Sequence, residues 1–382
     1  MERRALEEED LMTAGGTKQV KELKAPKIKP KPPKSGRGFG GGGTSGANNN
    51  ADDSIGARLA TAQAKLIQRD GVLRIPGALS DELSDAFRGY VLEQQRLAVE
   101  MVEQSNGNDH LRVSKSFYGV ENSRQSRCDL QLSLLRGGYA RDNENDIDTI
   151  DDNAASADIV PHTVADVLYE LLSTEDGTLR HLYEHLVTTK GELYELAAVV
   201  TNPGSKRQQV HPDLPYTNKA APLYVVFLAL QDVTVDMGPT TFLLKTHNDE
   251  TIQTKTFLGQ TSTTESKNNV LKTADCKQST LNKGDAVVFD ARVLHCGNAN
   301  DADKGSTRVL FNFSFRNPEI TGNLGYPGSI RPGYSQAMAL EDVTARVDAY
   351  GKHGSGNGNE NINVNIRDAS ESFAEYGDGL LR

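Results

Sequence analysis

The segment Gln208-Gln-Val-His-Pro-Asp213 sets an imidazole and a carboxylate two residues apart. On extended backbone, side chains at i and i+2 leave the same face, so His211 and Asp213 can reach one ion. A third ligand, His295, stands in the later segment Val293-Leu-His-Cys-Gly297. Two imidazoles and one carboxylate leave open coordination positions, a donor set that suits non-haem Fe(II) and leaves room for O2 and a co-substrate. His-x-Asp alone arises often by chance, and its weight here comes from its neighbours. In the run Thr307-Arg-Val-Leu-Phe-Asn-Phe-Ser-Phe315, Arg308, Leu310, Asn312 and Ser314 share one face, and Val309, Phe311, Phe313 and Phe315 the other. The aromatic face must pack against protein, so the mostly polar face lines an interior cavity. Arg308 is then placed to grip a carboxylate through two parallel hydrogen bonds. Gln208 and Thr240 are candidates for contact with the co-substrate or its water, and equally for hydrogen bonds that hold a loop.

Other chemistry-bearing residues receive plainer readings. His181 and His185 stand four apart on an expected helix, but Leu182 occupies the place where a His-Glu-x-x-His zinc site needs its Glu. They are expected to be surface or packing residues. Cys296, beside His295 on a strand, should point away from the metal as a small buried hydrophobe. Cys128 lies in the basic segment Arg124-Gln-Ser-Arg-Cys-Asp-Leu130, which fits an anionic substrate or an ordinary surface salt bridge.

These groups need elements to position them. From Glu192 onward the chain breaks into short β-type runs at 193–200, 223–230, 241–244, 286–289 and 308–315, a pattern of sandwiches, barrels and jelly rolls. Ahead of them come a helical pattern over 55–68 and a short strand within 69–79 closed by a Pro-Gly turn. A helix follows with Ser80 as N-cap, Asp81 and Glu82 in its first turn, and Leu83, Ala86, Phe87, Tyr90 and Val91 at helical spacing. A second helical region spans 161–186. Residues 142–158 are acidic and 351–365 Gly/Asn-rich, and both read as loops; loops at 214–221 and 251–276 are expected to shape the pocket.

The 382 residues suffice for a sizeable core, although aromatic content of 6% and the absence of Trp point to a part that does not pack. That part is residues 1–53, with a Lys/Pro run, a glycine run and an asparagine run, expected to be a disordered tail. The first fifty residues carry ten Lys or Arg against six Asp or Glu, a sum of +4, so a formal total of 42 − 52 = −10 leaves −14 for the remainder. So acidic a body argues against nucleic acid as a partner. No apolar run approaches the roughly 18 residues that cross a bilayer, so no membrane partner is expected. Three cysteines without Cys-x-x-Cys spacing and an acidic start without an apolar leader make the cytoplasm the expected compartment. Oligomeric state is not written in the sequence.

The chain resembles the phytanoyl-CoA dioxygenase-like branch of the Fe(II)/2-oxoglutarate dioxygenases. The resemblance begins at Asp70-Gly-Val-Leu-Arg-Ile-Pro-Gly-Ala-Leu-Ser80 and includes His211-Pro-Asp213, Phe227-Leu-Ala-Leu-Gln-Asp232 and Met237-Gly-Pro-Thr-Thr-Phe-Leu-Leu-Lys-Thr-His247. It continues through Gly284-Asp-Ala-Val-Val-Phe-Asp290 and His295 to about Pro318. It implies a mainly β protein with a double-stranded β-helix (jelly-roll, cupin-like) core over 192–318, flanked by N-terminal α-helices. A single domain would span 54–382, with 319–382 as a C-terminal extension. It further implies that His211, Asp213 and His295 hold iron and that Arg308 binds the distal carboxylate of 2-oxoglutarate. A somewhat long loop before Arg308 keeps Arg316 as the alternative. Implied too is an O2-dependent oxidation of a small-molecule substrate, by hydroxylation, desaturation or oxidative cyclisation, with release of succinate and CO2. His247 matches a position that is generally structural. Asp213 stands where related halogenases carry a small residue, which disfavours halogenation. The rival readings are a catalytically inactive cupin-like binding module, a different metal on the same triad and a fatty acyl-CoA hydroxylase. The acidic body gives the last little support and leans the substrate towards a specialised metabolite or amino-acid derivative.

Overall fold

The computed structural model describes residues 21–22, 55–104, 126–132, 164–174, 177–257, 262–320, 324 and 338–354. Most of the expected tail, the acidic loop at 142–158 and residues 355–382 lie outside the described residues. In chain order the elements are β1 (Lys21–Glu22), α1 (Ile55–Asp70), β2 (Val72–Ile75), α2 (Asp81–Gln104), β3 (Arg127–Gln131), α3 (Val164–Leu172), α4 (Arg180–Val187), β4 (Glu192–Thr201), β5 (Leu223–Ala229), β6 (Thr240–Leu243), α5 (Thr264–Thr273), β7 (Cys276–Gln278), β8 (Ala286–Asp290), β9 (His295–Gly297), β10 (Arg308–Arg316) and α6 (Leu340–Gly354). They build a six-stranded sheet, β2-β8-β5-β10-β4-β3, and a four-stranded sheet, β1-β7-β6-β9. This is the jelly roll that the short strands imply, with α1 to α4 drawn from the N-terminal part of the chain.

Alternation along β10 sets the layering. Val309, Phe311, Phe313 and Phe315 face the helices, where Phe311 meets Phe87 of α2 edge-on at 5.2 Å and Phe313 and Phe315 flank Tyr183 of α4 at 5.7 and 5.1 Å. Leu310 on the other face joins Val225, Phe289 and Phe242 in a second apolar cluster between the sheets. One strand thereby glues helices to its outer face and leaves its inner face to the barrel. Asp285, from the Gly284-Asp turn, pins β2 to β8 by pairing with Arg74 and accepting from the Gly77 amide at 2.8 Å.

The structure corrects several expectations. Residues 251–276 are not a plain loop: they hold a π-helical stretch, Thr251–Phe257, then α5, whose N-cap Thr263 and N3 Ser266 form a reciprocal capping box. The Gly/Asn-rich stretch does not begin as a loop, because α6 runs through Gly351 to Gly354 and buries Val343 and Val347 in the helical core. Ser80 precedes α2 as expected, but its hydroxyl is donated to Glu170 of α3 at 2.8 Å, tying two helices together. Within the tail, Lys21–Glu22 pair in parallel with Lys277 and Gln278 of β7. Among the described residues no helix is long and apolar enough to cross a membrane.

Candidate metal centre

His211 and His295 are brought together by backbone. Each donates its amide N–H to the other's carbonyl at 2.9 Å, an isolated bridge that extends the small sheet beyond β9. Their rings lie 4.7 Å apart. Asp213 does not continue an extended strand as expected: Pro212 has no N–H to donate, and the chain bends at Asp213. Leu214, 2% exposed, anchors that bend by donating its amide to Ala291 at 3.0 Å. The carboxylate still faces the imidazoles, with Asp213 Oδ1 3.5 Å from His295 Nε2 and 3.8 Å from His211 Nε2. One ligand atom from each of the three residues lies within 4.8 Å of the other two.

Both imidazoles are oriented as ligands. His211 Nδ1 lies 2.7 Å from the Gln209 carbonyl and His295 Nδ1 3.0 Å from the Val293 carbonyl. A carbonyl only accepts, so Nδ1 carries the proton in each ring and Nε2 keeps its lone pair for a metal. Burial pushes the His295 pKa down, outweighing the pull of Asp213, and this favours the neutral form that binds metal. Phe242 and Phe289 wall His295 on the barrel side, with ring centroids at 5.7 and 5.3 Å. Two nitrogens and one carboxylate oxygen on one side of a space open on the other fit a non-haem iron ion.

Beyond the triad the inner wall is cationic. Arg308, 2% exposed, donates Nη2 to Thr201 Oγ1 at 3.2 Å and Nη1 to the Gly238 carbonyl, while its Nε has no partner. Gly238 can offer that carbonyl because it sits at φ +68°, with Asn298 and Ala299 carbonyls where a Cβ would stand. Across the sheet, Thr201 is in register with Arg308 on one side and Arg127 of β3 on the other. Arg127 is 5% exposed, and Nε, Nη1 and Nη2 are all without a hydrogen-bond partner. Burial lowers the pKa of both guanidinia, and the neighbouring Arg127 adds to the effect on Arg308, which falls to about 9 and remains charged at neutral pH. Two buried like charges with four orphaned nitrogens fit a carboxylate lying between them.

The sequence-derived candidates thus separate. Arg308 faces the interior, whereas Arg316, at the far end of β10, donates to the Ile320 carbonyl at 2.7 Å and lies 4.0 Å from Glu192. Gln208 Oε1 accepts from the Gly297 amide N–H at 2.8 Å, holding the segment before His211 against β9. Thr240 is buried at the start of β6 opposite Gly297, and its carbonyl accepts from Ser279. Cys296 points away as expected, buried, with Arg207 donating to its sulfur at 3.5 Å. His247 is buried beneath Gly71 and bonds to the Gln68 carbonyl, apart from the triad. His181 pairs with Glu184 and His185 with Thr61. Arg127 is not singled out by the sequence, where Arg124 to Leu130 fits an anionic substrate and an ordinary surface salt bridge equally. The signal was present: Arg127, Asp129 and Gln131 alternate with Cys128, Leu130 and Leu132, all three of which are buried.

A jelly roll carrying a His-Asp-His group on one sheet and buried guanidinia on the other defines a metal-dependent barrel enzyme that takes an anionic co-substrate. The chain belongs to the phytanoyl-CoA dioxygenase family, whose profile it matches over residues 67–309. It is thereby of the non-haem iron kind that depends on 2-oxoglutarate. No curated protein sequence matches it. Among solved structures it is similar to the non-haem α-ketoglutarate-dependent epimerase SnoN from nogalamycin biosynthesis, at 16% identity over 71% of this chain and 95% of that one, with a TM-score of 0.43. It is also similar to the carbocyclase SnoK from the same biosynthesis, at 14% identity over 69% and 86%, TM-score 0.41. AviO1 from Streptomyces viridochromogenes Tue57 is similar at 16% identity over 69% and 97%, TM-score 0.39. These likenesses are distant, and the assignment rests on the family match.

Proposed function

We propose that this protein is an Fe(II)- and 2-oxoglutarate-dependent oxygenase of a small molecule. His211, Asp213 and His295 hold the iron, and Arg308 together with Arg127 holds the distal carboxylate of 2-oxoglutarate. The observation that carries this reading is the spacing between ligands and cations. His295 and Gly297 lie two residues apart on β9, a rise of about 7 Å, and Arg127 Nη2 is 3.0 Å from where a Cβ on Gly297 would stand. A five-carbon dicarboxylate spans such a gap with one end at the metal and the other between the guanidinia. When bound, iron supplies O2 activation coupled to decarboxylation of the 2-oxo acid, releasing succinate and CO2 and oxidising a substrate C–H bond. The chain's own groups do the rest: Nδ1–H bonds fix the imidazoles, Phe242 and Phe289 exclude water beside His295, and the arginines orient the co-substrate.

The test is anaerobic titration of the full chain with Fe(II) and then 2-oxoglutarate, recording the weak visible charge-transfer band of a chelated 2-oxo acid. The band is expected in the parent and absent in His211→Ala. A folded, iron-loaded parent that forms no band overturns the proposal.

Gly297 supplies a second check on the co-substrate end. In Gly297→Ala the new methyl would stand 2.8 Å from Gln208 Oε1 and 3.0 Å from Arg127 Nη2, so a neighbour must move. We expect the 2-oxoglutarate concentration for half-saturation to rise about tenfold, equal to roughly 1.4 kcal/mol, with iron affinity retained. An unchanged requirement would show that Arg127 does not reach the co-substrate past Gly297.

A further inference from the structure

One carboxylate on the inner wall has no part in holding iron or co-substrate. Asp129 follows Arg127 by two residues on β3 and so lies on the same face, in register with Val199 of β4 and, one strand further, Leu310 of β10. Its side chain is exposed, and partial desolvation raises its pKa, opposed by Arg127 and aided by Asp213. Among the described residues no side chain bonds or pairs with it, and the nitrogens of nearby Arg127 are themselves without partners. In the next row along β10, Asn312 is 7% exposed and its Oδ1 is buried with no hydrogen bond. It shares the inner face with Arg308 and Leu310.

A buried acceptor left unmet costs about 1–3 kcal/mol, and a charged one more. Asn312 Oδ1 is such a group, and on the same wall Asp129 is an exposed carboxylate, so this face offers acceptors to a ligand bringing donors. Neither iron nor co-substrate meets the need: the metal faces the triad, and the distal carboxylate of 2-oxoglutarate is repelled by Asp129 and drawn to Arg127 and Arg308. Arg127 offsets part of the Asp129 charge, but the distal carboxylate of 2-oxoglutarate draws on the same guanidinium, so a protonated amine, which both donates and carries charge, suits Asp129 better than a neutral donor. The net charge of −14 over residues 51–382 favours the approach of a cation to the same end. Resting on the function proposed above, we infer that the substrate carries a protonated amino group that Asp129 binds, while Asn312 accepts from a second donor of the same molecule.

The test uses the full chain loaded with 2-oxoglutarate and Zn(II), a redox-inert stand-in, and reads binding by saturation-transfer NMR. The probes are phenethylammonium and its neutral counterpart phenethyl alcohol. The expected result is phenethylammonium binding that weakens about tenfold or more in Asp129→Asn, equal to at least roughly 1.4 kcal/mol. Phenethyl alcohol should bind alike in both proteins, and 2-oxoglutarate affinity should stay within about threefold. Circular dichroism confirms folding, and Asp129→Ser serves if the Asn variant does not fold. The inference is overturned if the parent binds the two probes equally, or if the substitution leaves ammonium binding unchanged. It is overturned as well if the substitution shifts 2-oxoglutarate as much as ammonium, since Asp129 would then be a counter-charge for Arg127. Failure of the underlying function is seen separately, as a parent that does not bind 2-oxoglutarate before any probe is added.

Discussion

Asp213→Ala is expected to abolish iron-dependent consumption of 2-oxoglutarate. Loss of groups that only support a ligand typically weakens a metal site by about 10- to 100-fold, so loss of the sole anionic ligand should exceed the upper figure. The carboxylate is the only one of the three proposed donors that neutralises charge on the ion, and among the described residues no other carboxylate joins the group. The fold should survive, because the Asp213 side chain is 29% exposed and its nearest basic atoms are 3.5 and 3.8 Å away, beyond a good hydrogen bond. The measurements are bound iron by metal analysis, succinate release, and circular dichroism of the variant. Parent-rate consumption by a folded Asp213→Ala protein would show that the metal is held elsewhere.

The second large effect divides two arginines that look alike in charge and burial. Arg127→Met and Arg308→Leu should each raise the 2-oxoglutarate requirement about a hundredfold, the usual cost of truncating one partner of a buried charge pair being roughly 2–5 kcal/mol. Their effects on the ligand-free protein should differ in sign. Arg127 makes no hydrogen bond through any of its three nitrogens, and burial outweighs its attraction to Asp129, so an apolar side chain of similar length removes a costly buried charge and should stabilise the free protein by about 1–3 kcal/mol. Arg308 gives hydrogen bonds to Thr201 and to the Gly238 carbonyl, and Leu leaves both acceptors unmet, so that variant should be no more stable than the parent. Urea unfolding with and without 2-oxoglutarate reads both quantities, since ligand bound to the native state adds stability by mass action. If Arg127→Met destabilises the free protein, Arg127 serves the fold, and the carboxylate seat reduces to Arg308.

How much of this was legible in the residues follows from the range of the forces involved. The strands at 193–200, 223–230 and 308–315 are readable because alternation is a property of adjacent residues, and the observed bounds differ by one residue, at both ends of β4 and at one end of β5 and β10. The same alternation correctly divided β10 into an aromatic outer face and a polar inner one. α6 is masked in the sequence by the glycines at its end, which read as a loop, although Leu340, Val343 and Val347 recur at helical spacing and are buried. β3 is hard to read from the residues because it is short and its period of two lies within a basic segment.

The residue types and spacing by themselves determined the chemistry on offer: three metal donors, an inward-facing arginine and a barrel to hold them. Only the tertiary structure decided which groups meet. The bridge between His211 and His295, the row Arg127–Thr201–Arg308 across three strands and the removal of Arg316 to the far end of β10 all depend on pairing between segments distant in sequence. Periodicity says which way a side chain points, but register and closure of the sheets, which are non-local, say what it points at.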